Sequence, residues 1–352
     1  MKHPSRIFFA VMMMLCLIGL FFVFEASMAE AFTEFGNRWK FVKMQSIWLS
    51  IGLLIFFISS RIPLQVIRVG AYVLFPISMI FMVLVLIPGI GMEVQGARRW
   101  IGIGLLRFQP VEVLKASMIF FFSHWLSRHQ RARPFFFLMA IFFGLIMLQP
   151  DLGSALIVGS IGTTMYITAG GRWRHLAYFA GLGVLAVALV IIFSPFRRNR
   201  IRTFLDPDSD PLGRSYQIRQ ITIALGRGAW FGQGIGQSRQ RFQYIPEAST
   251  DSIYAIIAEE IGLMGGLLIF ALFAILIHMG FVIARSQHSG YEQLMASGIV
   301  AWIASQTMVN LASVVALVPL TGVPLPFISY GGSSLVILLA MSGILVGMGR
   351  KI

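Results

Sequence analysis

Apolar runs of about 20 residues recur along this chain from end to end, the length at which a helix crosses the hydrocarbon of a bilayer. Backbone inside lipid must satisfy its own polar groups, so such a chain folds into spanning helices and not into an open sheet. Ten segments have this character: residues 7–24, 44–60, 69–87, 109–127, 135–149, 152–170, 175–193, 252–284, 294–318 and 332–349. Charge content agrees, since 12% of the residues are charged and 57% are hydrophobic, against about 25% charged in a soluble domain. The expectation is an all-α polytopic membrane protein with about ten transmembrane helices. Residues 1–352 form one integral membrane domain, with a large extracytoplasmic loop at 194–250 between spans seven and eight.

The first segment has the layout of a signal peptide, with Lys2 and Arg6, then Ile7 to Phe24, then Ala29-Glu30-Ala31. Its apolar stretch exceeds the usual length, and it is read as an uncleaved first span. Span five is short and ends at Gln149-Pro150-Asp151, which predicts a tight hairpin with span six. Span eight is too long for a bilayer of about 30 Å at about 1.5 Å per residue. Its first turns, with Asp251, Glu259 and Glu260, are expected above the hydrocarbon or along a wet cavity.

With the N-terminus inside, the inner segments hold twelve Lys and Arg and the short outer loops hold six. This favours cytoplasmic termini. The loop at 194–250 then lies outside and adds Arg197, Arg198, Arg200, Arg202, Arg214, Arg219, Arg227, Arg239 and Arg241, which reverses the raw sum. A loop of this size is near the length at which charge stops deciding orientation. So much cation outside points to an anionic partner, with anionic lipid headgroups as the plain alternative. The net charge of +14 does not indicate nucleic acid, because the basic residues sit in loops between spans. Cys16 is the single cysteine, which excludes an intrachain disulfide and a cysteine-built metal site.

Within the loop, residues 206–213 carry turn chemistry. Tyr216, Ile218, Ile221 and Leu225 alternate with Arg219 and Gln220, the pattern of a short helix lying in the interface. Residues 226–236 are glycine-rich and either flexible or tightly packed, and they match neither G-x-G-x-x-G nor a Walker A loop.

Ionisable groups inside spans are costly and mark function by default. Glu112 and Lys115 open span four at a spacing that pairs them on one helical face. They form a self-satisfied ion pair, the floor of a headgroup cavity with Lys115 facing a phosphate, or both at once. Asp151 opens span six and Asp251 opens span eight, each at a helix N-terminus. Both have a capping use; Asp151 has a metal or substrate contact as its other use, and Asp251 a use as a catalytic base. Between spans nine and ten, Pro324 and Pro326 prevent regular helix. The hydroxyls of Ser329, Tyr330, Ser333 and Ser334 follow or flank that irregular stretch, beside Gly331 and Gly332. Irregular backbone at this depth must be packed in protein or line a cavity. The six histidines are scattered, with no metal-ligand spacing.

Five segments, in order, resemble the SEDS family (shape, elongation, division and sporulation), whose members include FtsW, RodA and SpoVE. They are Gln109-Pro-Val-Glu-Val-Leu-Lys115, Leu148-Gln-Pro-Asp-Leu-Gly153, Pro246-Glu-Ala-Ser-Thr-Asp251, Ala258-Glu-Glu-Ile-Gly-Leu263 and residues 321–334. Phe204-Leu-Asp-Pro207, Asp210-Pro-Leu-Gly213 and Gly236-Gln-Ser-Arg-Gln-Arg241 look more like the FtsW branch than RodA. Ser249 departs from the pattern, where many members carry His. The resemblance implies a peptidoglycan glycosyltransferase in the bacterial cytoplasmic membrane, polymerising lipid II on the outer face. By that likeness Asp251 matches the essential acid and would act as general base. Glu112, Lys115 and Asp151 would line the substrate cavity, with Arg98, Arg99 and the hydroxyls of 329–334 as further binding groups. A divalent cation, Mg2+ or Mn2+, or arginines would stabilise the departing diphosphate. The resemblance further implies a class B penicillin-binding protein and other division or elongation membrane proteins as partners, and no nucleic acid. Two other functions fit an anion-binding cavity in a membrane domain: a flippase for the lipid-linked precursor, and a non-catalytic division scaffold.

Overall fold

The computed structural model describes residues 3–94, 97–103, 106–129, 131–193, 215–240 and 245–350, together with Arg198 and Phe204. Arg197, Arg200, Arg202, Arg214, Arg241 and Tyr244, and the expected turn at 206–213, lie outside the described residues.

Eleven helices and one small sheet make up the described chain. In order these are α1 (Pro4–Phe35), α2 (Lys40–Ser59), α3 (Leu64–Leu84), β1 (Gly91–Val94), β2 (Ala97–Ile103), β3 (Leu106–Phe108), α4 (Pro110–Arg128), α5 (Ala132–Leu148), α6 (Leu152–Thr168), α7 (Trp173–Phe193), α8 (Tyr216–Gly228), α9 (Ile253–Arg285), α10 (Gly290–Val314) and α11 (Gly332–Gly349). Every helix except α8 stands where a span was expected. Six of them, α1, α2, α3, α9, α10 and α11, are long and apolar enough to cross a membrane. Helices α5 and α6 have 17 residues each and form the expected hairpin.

The structure adds what hydropathy did not disclose. Strands β1, β2 and β3 form an antiparallel sheet, with Gly91 opposite Ile101 and Ile101 opposite Phe108. Helix α1 runs to Phe35, well past residue 24, and ends at Gly36 in the left-handed conformation. Its Phe8, Met12, Leu15 and Val23 are buried in the main core, so α1 is an integral part of the bundle. Helix α10 is the axis of that bundle: its most apolar stretch is 72% buried, against 22% for α3 at the periphery.

The excess length of α9 is resolved by a break. Gly262 adopts φ 68 and ψ −171, a conformation essentially confined to glycine. A broken helix at membrane depth frees backbone groups that must find partners, and the glycine-rich stretch before it supplies them. The amides of Gln233 and Gly234 donate to the carbonyls of Glu259 and Glu260, at 2.9 and 3.0 Å. The amides of Leu263 and Met264 donate to the carbonyls of Ala229 and Trp230, at 2.9 and 3.1 Å. The approach leaves no room for side chains, since a Cβ on Gly232 would lie 2.1 Å from the Glu260 carbonyl oxygen. Of the two readings left open by sequence, tight packing holds at Gly228 and Gly232, whereas Trp230, Phe231 and Ile235 of the same stretch stay exposed.

This splice also buries Glu259 and Glu260, which are 0% exposed, so of their two expected settings they do not line a wet cavity. Glu259 accepts hydrogen bonds from Ser238 Oγ and from the Gln240 amide, and Arg227 of α8 lies 3.6 Å from its other oxygen. Protein, not a wet cavity, surrounds it, because α8 and the glycine-rich loop fold over the break.

Candidate active site

Irregular backbone from Thr321 to Tyr330 links α10 to α11. Pro324 and Pro326 remove two amides, and Phe327 sits at φ 64 although it is bulky and 2% exposed. Such a conformation persists only where surrounding packing holds it. Side chains from other elements satisfy the exposed backbone groups. Gln306 Nε2 donates to the Pro324 carbonyl at 3.0 Å, and Asn310 Nδ2 to the Val323 carbonyl at 2.7 Å. Gln45 Nε2 donates to the Ser329 carbonyl at 3.2 Å, and Ser329 Oγ accepts from the Leu325 amide at 2.8 Å.

The same segment gathers the candidate ionisable residues. Asn310 Nδ2 also donates to the Asp251 carbonyl at 2.8 Å, and the Tyr330 amide donates to the Ser249 carbonyl at 2.9 Å. Asp251 is thus fixed by its backbone, one residue ahead of the Ser252 N-cap of α9. Its carboxylate turns toward Gly322, where a Cβ would stand 3.9 Å from Oδ2, and Ser252 Oγ donates to Oδ1 at 3.3 Å. Asp251 is half-buried.

On α4, Lys115 Nζ donates to Glu112 Oε1 at 2.7 Å, the i, i+3 pair expected from sequence. The pair is enclosed: Nζ lies 4.5 Å from the Trp302 ring centroid and 3.4 Å from Gln306 Oε1. Ser334 Oγ donates to Glu112 Oε2 at 3.4 Å, which joins the start of α11 to the pair. Asp151 caps α6, accepting from the Ser154 amide at 3.0 Å and from Ser154 Oγ at 2.7 Å. Two residues on, Gly153 presses against Thr321 and Val323, where a Cβ would lie 2.3 Å from a Val323 methyl. Glu112, Lys115, Asp151 and Asp251 therefore all surround residues 321–334.

The remaining candidates are placed as follows. Arg99 Nε donates to the Gln149 carbonyl at 3.1 Å and its Nη2 to the Pro150 carbonyl, which clamps the sheet to the α5–α6 turn beside Asp151. Arg98 pairs with Glu93 at 3.4 Å on the outside of the sheet. Ser329 Oγ is occupied in the turn, and Tyr330 packs edge-on against Phe41. Burial pushes the Tyr330 phenol above its ordinary range, and Glu30 adds in the same direction. Ser333 Oγ is buried with no hydrogen-bond partner among the described residues.

Asn310, Gln306 and Trp302 were missed by sequence reasoning. A signal was present: Gln306 and Asn310 stand four apart, on one face of a spanning helix, and both are 0% exposed. Among the described residues no three His, Cys, Asp or Glu side chains converge. Among those residues a divalent cation has no cage of protein ligands, and Mg2+ or Mn2+ held there would need substrate phosphates to complete its shell.

Comparison with known proteins identifies the family. The family described as Cell cycle protein, FtsW/RodA/SpoVE, matches residues 5–351. Stage V sporulation protein E of Bacillus subtilis (strain 168) is 38% identical, over 99% of this chain and 97% of its own. The probable peptidoglycan glycosyltransferase FtsW of Trichlorobacter lovleyi is 37% identical, over 94% of this chain and 89% of its own. Among solved structures, a chain from a peptidoglycan synthase complex that coordinates polymerization and crosslinking superposes with a TM-score of 0.79 at 29% identity, covering 100% of this chain and 98% of its own. Rod shape determining protein RodA of Thermus thermophilus gives 0.72 at 27% identity, with the same coverage. On sequence and on fold alike, the chain belongs to the FtsW/RodA/SpoVE family of cell cycle proteins.

Proposed function

We propose that this protein is a peptidoglycan glycosyltransferase that polymerises lipid II at the outer face of the cytoplasmic membrane, in cell division or cell-shape maintenance. The observation that carries the proposal is the difference in access among four clustered side chains. Glu112, Lys115 and Asp151 are 3%, 1% and 4% exposed, and Asp251 is half-buried. Asp251 is the one of the four that a sugar hydroxyl can reach. Relatives named as probable peptidoglycan glycosyltransferases support the reaction class.

In this reading the Asp251 carboxylate takes the proton from the 4-hydroxyl of the acceptor GlcNAc. The hydroxyl oxygen forms a bond to the anomeric carbon of the donor MurNAc, with inversion, as the bond to the diphosphate oxygen breaks. Polyprenyl diphosphate leaves with the electron pair. Arginines of the 194–250 loop stabilise that charge best where water is excluded. A divalent cation, when bound, would supply the same kind of charge stabilisation. Both termini lie in the cytoplasm, and a class B penicillin-binding protein supplies crosslinking. That partnership is supported by the likeness to a chain from a synthase complex.

The test is polymerisation of lipid II by purified protein, alone and with the partner. Asp251→Asn should lower the product by about 100- to 10,000-fold, the worth of a positioned general base, with an unchanged unfolding midpoint. Equal product from both proteins would remove Asp251 from the mechanism. Translocation of lipid II without polymer would assign the flippase function instead.

A further inference from the structure

At the end of the bundle away from Asp251, the turn from α2 into α3 and the last turns of α11 enclose a cavity of about 390 Å³. Its rim carries Arg61, Arg350 and Ser60, and its walls include Leu64, Ile344 and Met348. The turn sits low on α11 because Gly347 has no side chain, and a Cβ there would lie 2.4 Å from the Ser60 carbonyl oxygen. Both arginines are exposed, and neither has an ion-pair partner among the described residues. Among the described residues no acid lines the cavity.

The sign of the local charge follows from the elements that meet there. Helices α2 and α11 end at this site, and α3 begins at it with Pro63 as its N-cap. With about half a charge per helix terminus, the two carbonyl ends outweigh the one amide end. The two guanidinium groups more than reverse this and leave about one and a half positive charges. A basic rim above an apolar wall, at one end of a membrane bundle, matches an amphiphile with an anionic head.

We propose that this cavity binds the phosphate of an anionic phospholipid. Arg61 and Arg350 clasp the headgroup, and the first carbons of the acyl chains lie along Leu64, Ile344 and Met348. The guanidinium fork suits a phosphate oxygen pair, and basic residues just beyond the end of a spanning helix are placed to meet anionic headgroups.

Binding is read by native mass spectrometry on the purified full chain, mixed with phosphatidylglycerol, phosphatidylcholine or soluble sn-glycerol 3-phosphate. Phosphatidylglycerol should be retained about tenfold better than phosphatidylcholine. An Arg61→Gln/Arg350→Gln double variant should bind phosphatidylglycerol about thirtyfold more weakly, with an unchanged unfolding midpoint because both side chains are exposed. A photoreactive phosphatidylglycerol should crosslink to the first turn of α3 and the last turn of α11. Equal retention of the two lipids, undiminished binding by the double variant, or crosslinks confined to other helices would each overturn the proposal. Competition by glycerol phosphate as strong as that of the lipid would overturn the lipid assignment and leave a soluble phosphate as the ligand.

Discussion

Lys115 and Glu112 show how a buried charge is held inside a membrane domain. The ammonium has a carboxylate at 2.7 Å and the Trp302 ring beneath it at 4.5 Å. Removing one partner leaves an uncompensated buried charge, which costs about 3–5 kcal/mol, whereas replacing both is often neutral. Lys115→Met should therefore lower the unfolding midpoint sharply, and Glu112→Gln/Lys115→Met should recover most of the loss. A chemical-denaturation series in detergent measures both, and additive losses would mean the pair is not coupled. This pair was legible in the sequence because its spacing is local. So was Asp251, since an acid at the entry to an apolar helix stands out. Asn310 was not: it holds Asp251 from 59 positions away, and no local pattern encodes which carbonyls a buried amide will meet. The capping role of Asp151 was one of two uses left open, and the Ser154 hydrogen bonds establish it.

Helix α9 carries the clearest signal that composition alone leaves incomplete. Its 33 residues exceed any bilayer core, so a break or an overhang was required. The position of the break at Gly262 depends on a loop that ends about 25 residues earlier and was not readable. The sheet escaped for a different reason: strands of three to seven residues give too few alternations to be told from loop. Gly262→Ala tests the splice. Backbone strain at that φ costs about 1–3 kcal/mol, and the added Cβ would meet the Gly232 amide nitrogen at 2.3 Å. The variant should unfold at lower temperature and expose residues 226–236 to protease. An unchanged midpoint and unchanged cleavage would show that the loop does not stabilise the break.

At the scale of the whole molecule, the order of the helices was legible because each buries an apolar stretch of spanning length. Their lateral packing was not, since lipid-facing and core-facing residues are equally apolar. Orientation is open to a direct check. Cys16 is 2% exposed, so single cysteines can be introduced against a silent background. In intact cells an impermeant maleimide should label Trp230→Cys but not Arg61→Cys, and the reverse pattern would invert the topology. Trp230 and Phe231 are 64% and 83% exposed, at the tip of the loop whose four backbone hydrogen bonds enter α9. The tip and the segment 253–261 are therefore joined through backbone hydrogen bonds, and a load placed on those two aromatic rings bears on the first turns of α9, which begin two residues after Asp251.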